Sequence, residues 1–77
     1  MYKMFEISLN NESQKNIGSL QSLTQNKVSV DNLINLSATE LSAGLVANAY
    51  ISGGSVYINV GSKYTVSSIV CVMISYI

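Results

Sequence analysis

A chain of 77 residues has room for one small domain, and four lysines against four acidic residues leave it without net charge. Domains this short bury only about 60% of the surface their unfolded chain exposes, and usually need disulfides, a metal or association to hold together. With one cysteine, no histidine and no arginine, the chain cannot close an internal disulfide, offers no clustered metal ligands and has no basic patch for nucleic acid.

At the N-terminus, Met4 to Leu9 alternates like a short strand. The polar stretch after it, with Gly18 inside, is too poor in apolar residues to specify an element. The N-terminal third is therefore expected to be weakly ordered. The opening residues turn polar at once and lack the apolar centre of a secretory signal. No apolar run reaches the ~18–20 residues of a transmembrane helix.

Local signals sharpen from Leu36. Ser37-Ala38-Thr39-Glu40 has the form of a capping box, with Leu36 and Leu41 in the two hydrophobic-staple positions around it. Leu41, Leu45, Val46 and Ala49 then fall on one face. The pattern predicts an amphipathic helix from about Ser37 to Ala49, weakened by ~1 kcal/mol at Gly44 and stopped by Gly53-Gly54.

The composition changes at those glycines. Glu6, Glu12, Asp31 and Glu40 all precede them, and Lys63 is the only charged side chain after them. Val56, Ile58 and Val60 alternate with Ser55, Tyr57 and Asn59. Gly61-Ser62-Lys63 suits a turn, Tyr64 to Ser67 resumes the alternation, and Ile69 to Ile74 is an unbroken β-prone run. A hairpin is expected here. A lone hairpin is marginal in water, so it needs a cover, a membrane or covalent ties. The bare final run has the character of an aggregation-prone segment, through which self-association of the C-terminal strands would supply the cover. The fold class that results is a small, marginally folded α+β chain. Composition divides it into a segment 1–54 and an apolar segment 55–77.

Catalysis is not expected, and no cofactor is called for. Cys71 has no histidine to activate it, no two carboxylates share an element, and Gly53-Gly54 belongs to no phosphate-binding loop. Between Val70 and Val72, Cys71 reads as a small buried hydrophobe. Thr65, Ser67 and Ser68 do lie just upstream. If one were dehydrated, the Cys71 thiolate could add to it, helped by the short separation.

Leu36-Ser37-x-x-Glu40-Leu41, the glycine pair and the nearly acid-free tail together resemble a precursor of a ribosomally synthesised, post-translationally modified peptide. The type is that of lanthipeptides or of bacteriocins with double-glycine leaders. The Leu-Ser-x-x-Glu-Leu half of the leader pattern matches residue for residue, whereas Gly53-Gly54 fall seven residues later than in those leaders. The resemblance implies the precursor of a secreted antimicrobial peptide, made in the cytoplasm, with 1–54 as leader and 55–77 as core. Leu36, Ser37, Glu40 and Leu41 would be read by a processing or export peptidase or by a modification enzyme. Cleavage would follow Gly53-Gly54, or fall near Ala47. Thr65, Ser67, Ser68 and Cys71 would be the modification positions, and the core would act on a target membrane. The other expectation is a small non-enzymatic structural or interaction protein, of phage or mobile-element type, that stays in the cytoplasm and self-associates.

Overall fold

The computed structural model describes residues 1–42, 44–61 and 67–77. Within them, six strands form two three-stranded antiparallel sheets. The strands are β1 (Tyr2–Leu9), β2 (Gln14–Ser19), β3 (Leu33–Glu40), β4 (Ala47–Ser52), β5 (Ser55–Val60) and β6 (Ser68–Tyr76). One sheet has the order β1-β6-β3 and the other β2-β5-β4. A single helical turn, α1 (Leu20–Leu23), and a 3-10 turn at Val30–Asn32 lie between β2 and β3. The chain changes sheet between β1 and β2, between β2 and β3, between β3 and β4, and between β5 and β6. Among the described residues, only β4 and β5 form a hairpin within one sheet.

The two middle strands are the most β-prone segments of the chain. On β5, Val56, Ile58 and Val60 point inward, as do Val70, Val72 and Ile74 on β6, and none of the six is more than 1% exposed. β-branched residues at every second position suit a pleated, buried surface. Phe5, Ile7, Leu36, Ala38, Ala47 and Ile51 pack against this centre from the flanking strands, and Leu9, Leu20, Val28 and Tyr76 complete the buried cluster. The α1 turn is tied down locally. Ser19 Oγ accepts from the Ser22 N–H at 3.1 Å, and the Leu20 N–H donates to the Gly54 carbonyl at 3.2 Å. That places Leu20 in the core.

The α+β expectation is overturned: the protein is a β-sandwich whose helical content, among the described residues, is the α1 turn and one 3-10 turn. Residues expected to form the helix from Ser37 to Ala49 instead end β3 and begin β4. Leu36, Ala38 and Glu40 alternate inward, paired with Ile74, Val72 and Val70 of β6. Long-range pairing with the best strand in the chain thus outweighs a weak local helical preference. Gly44, at φ 68°, lies in the connection between the two strands. The N-terminal third is likewise not weakly ordered, since it supplies β1, β2 and α1. The hairpin expected between β5 and the final run does not form, because β5 pairs with β2 and β4 while β6 joins the other sheet. The turn expected at Gly61-Ser62-Lys63 and the alternation from Tyr64 fall largely on residues 62–66, outside the described residues.

Candidate functional site

Among the described residues, no three His, Cys, Asp or Glu side chains cluster as metal ligands would. The surface features with chemical character are the two outer sheet faces.

On the outer face of β1-β6-β3, strand register builds rows. Tyr2 lies beside Ser75, Met4 beside Met73, and Glu6 beside Cys71, followed by Ser8 beside Ile69. On the other side of β6, Ser37 flanks Met73 and Thr39 flanks Cys71. The Leu41 N–H donates to the Ile69 carbonyl at 2.8 Å, extending the pairing by one residue. Tyr2 is 66% exposed, Met4 55%, Leu41 54%, Ile69 41% and Met73 36%. Single exposed apolar residues are ordinary, but this group shares one face. Small hydroxyl residues surround it, and Glu6 is the one charged side chain in these rows.

The sheet edges are guarded. Lys3 on β1 lies opposite Ile74, and Lys15 on β2 opposite Ile58, so both stand on the inner side of flanking strands and are half-buried. Inward-directed charges on an edge strand discourage another strand from docking there, because pairing would trap the ammonium groups. On the opposite flank, β3 and β4 lie against each other. Their connection is gathered onto Glu40, whose Oε1 accepts from the N–H and Oγ–H of Ser42, each at 2.7 Å, and whose Oε2 accepts from the Leu45 N–H at 3.1 Å. Ser42 Oγ in turn accepts from the Ile69 N–H at 3.0 Å.

The residues expected to form a leader recognition face do not share one. Leu36 and Glu40 point into the sandwich, while Ser37 and Leu41 stand on the outer face. Gly53 and Gly54, at φ 57° and 79°, form the exposed two-residue turn of the β4–β5 hairpin between the paired Ser52 and Ser55. Two successive positive φ values are the signature of a type I′ turn. Of the proposed modification positions, Ser68 is 4% exposed on the inner face, and its hydroxyl has no hydrogen-bond partner. Cys71 is half-buried on the outer face of the same strand, between Glu6 and Thr39, rather than in the core. Ser67 is exposed just before β6, and Thr65 lies outside the described residues. Strand alternation therefore separates Ser68 from Cys71.

Sequence reasoning missed a second surface altogether. On the outer face of β2-β5-β4, Tyr50 and Tyr57 are direct cross-strand partners with their rings stacked 5.3 Å apart at 10°. The Gln14 Nε2 group donates to Tyr50 Oη at 2.8 Å. The signal was the alternation of Asn48, Tyr50 and Ser52, hidden by the helical assignment of the preceding residues. Compared with protein-family models, curated proteins and solved structures, the chain matches none of them.

Proposed function

We propose that this chain is a small non-enzymatic interaction protein that works by associating with a second copy of itself, face to face, through the outer surface of the β1-β6-β3 sheet. The single observation that carries the reading is the shared exposure of Tyr2, Met4, Leu41, Ile69 and Met73 on that face. A domain this small gains stability by covering such a surface. Absence of net charge leaves little repulsion between copies. The guarded edges favour a closed pair over open-ended strand addition.

Sedimentation velocity over a range of concentrations tests this. The expected result is a reversible dimer that Met73→Glu converts to monomer with an unchanged far-ultraviolet spectrum. A wild-type chain that stays monomeric at every concentration, or a mutant that dimerises equally well, would overturn it.

A second reading, the processed precursor, draws support from the exposure of Gly53-Gly54 at a turn, where a peptidase could reach them. In this reading the leader and core must act before the sandwich closes, since β5 and β6 are its middle strands. Intact mass of the chain recovered from its producing cells distinguishes the two. A product beginning at Ser55, with or without loss of water, supports the precursor. A full-length unmodified chain supports the interaction protein.

A further inference from the structure

The outer face of β2-β5-β4 is chemically unlike the other sheet. Beside the Tyr50–Tyr57 stack, its outward positions are Gln14 and Asn16 on β2, Asn59 on β5 and Asn48 on β4, with serines at one end. None of these outward residues is a carboxylate or an ammonium group. Gln14 and Tyr50 belong to strands on either side of β5, about 10 Å apart by ordinary strand spacing, so their hydrogen bond spans the sheet. The phenol oxygen of Tyr50 accepts that bond, which leaves its own O–H proton to donate outward. Tyr50 keeps 40% of its surface exposed.

We propose that this face binds a neutral glycan. A chain of uncharged pyranose units lies along the sheet, with the C–H-bearing face of one ring against the Tyr50 phenol. Its hydroxyls exchange hydrogen bonds with the amides of Asn48 and Asn59 and with the Tyr50 hydroxyl, and accept from the Asn16 Nδ2 group, whose Oδ1 already accepts from the Gly18 N–H at 2.9 Å.

Three properties of the face select this ligand. A carboxamide carries both a donor and an acceptor, as does a sugar hydroxyl, so each matches the other in either direction. An aromatic ring has a negative face that attracts the polarised C–H groups of a pyranose. The missing charge fits a partner that has none and gives no attraction to phosphate, acidic or basic surfaces. A protein partner would instead want an apolar, desolvated centre with protruding anchors. Here the rings are stacked on each other among amides, and the grouped apolar residues Tyr2, Met4, Leu41, Ile69 and Met73 are on the other sheet, with Val46, 73% exposed just before β4, standing alone at one end of this one. The stack and the Gln14 bond also hold the tyrosines in place before binding, which reduces the ordering that binding requires. This inference is independent of the self-association reading, since it uses the opposite face.

The test is a titration of the full-length, nitrogen-15-labelled chain with cellohexaose, chitohexaose and maltohexaose, following the side-chain amide signals of Gln14, Asn16, Asn48 and Asn59. At least one sugar is expected to shift these signals saturably. Raising the salt should change nothing, because no ion pair is involved. Tyr50→Ala should weaken binding about tenfold, the scale of one aromatic contact. Tyr50→Phe, which keeps the ring, should weaken it less, and Met73→Glu on the other sheet should leave it unaltered. The proposal is overturned if none of the three sugars shifts these signals, or if the shifts vanish with salt. It is also overturned if only a protein, or a second copy of this chain, perturbs this face.

Discussion

Glu40, at the end of β3, holds the connection through which the chain passes to β4. It is 8% exposed and gathers Ser42 and Leu45 onto its two oxygens. Charge-assisted bonds of this kind exceed neutral ones, and leaving partly buried N–H groups unpaired adds to the loss. Glu40→Ala should therefore lower stability by about 2 kcal/mol and Glu40→Gln by about 1 kcal/mol, read as shifts of the urea midpoint at constant slope. Ser37 gives the contrasting result. It stands on the outer face beside Met73, so Ser37→Ala should change stability by less than about 0.5 kcal/mol. Removing a helix N-cap would cost about 1 kcal/mol. The capping box expected from the spacing of Ser37 and Glu40 does not form, because both residues lie in β3. Glu40 bonds forward to Ser42 and Leu45 rather than back to Ser37, and the spacing alone does not distinguish those directions.

Among the elements, the β4–β5 hairpin carries the clearest requirement. Both turn residues adopt positive φ, a region that penalises a Cβ by roughly 1–2 kcal/mol except in Gly, Asn and Asp. Gly54→Val should lower stability by that amount, read as a shift of the urea midpoint at constant slope, whereas Gly53→Asn should be tolerated within about 0.5 kcal/mol, because Asn-Gly is itself a preferred I′ pair. The β5 strand was legible, since Val56, Ile58 and Val60 recur with a strict period of two. Its partner β4 was not, because Ala47 and Ala49 are small enough to fit a helical face as readily as a strand face. With Ala47 to Ala49 read as the end of a helix, Gly53-Gly54 looked like a stop signal rather than a hairpin turn. β2 was hidden for a different reason. It is a flanking strand of mostly polar residues, with a bulge between Asn16 and Gly18, and such strands owe their form to the neighbour they pair with. The amide-and-tyrosine face stayed unseen with them, because it exists only once β2, β5 and β4 lie side by side.

For the whole molecule, the division at Gly54 runs through the sandwich. Segment 55–77 supplies both middle strands, and segment 1–54 supplies all four flanking ones. Neither segment can bury its apolar face alone, so isolated peptides 1–54 and 55–77 should each lack a cooperative unfolding transition by circular dichroism. Everything proposed for the two outer faces rests on this interlocking. Amide hydrogen exchange on the full-length, unmodified chain tests it most directly. The amides of β5 and β6, paired on both sides, should be the slowest to exchange, and those around Val56, Ile58, Val70 and Val72 should open together with one free energy. Fast exchange throughout β5 and β6, with protection confined to a helix between Ser37 and Ala49, would contradict the interlocked sandwich.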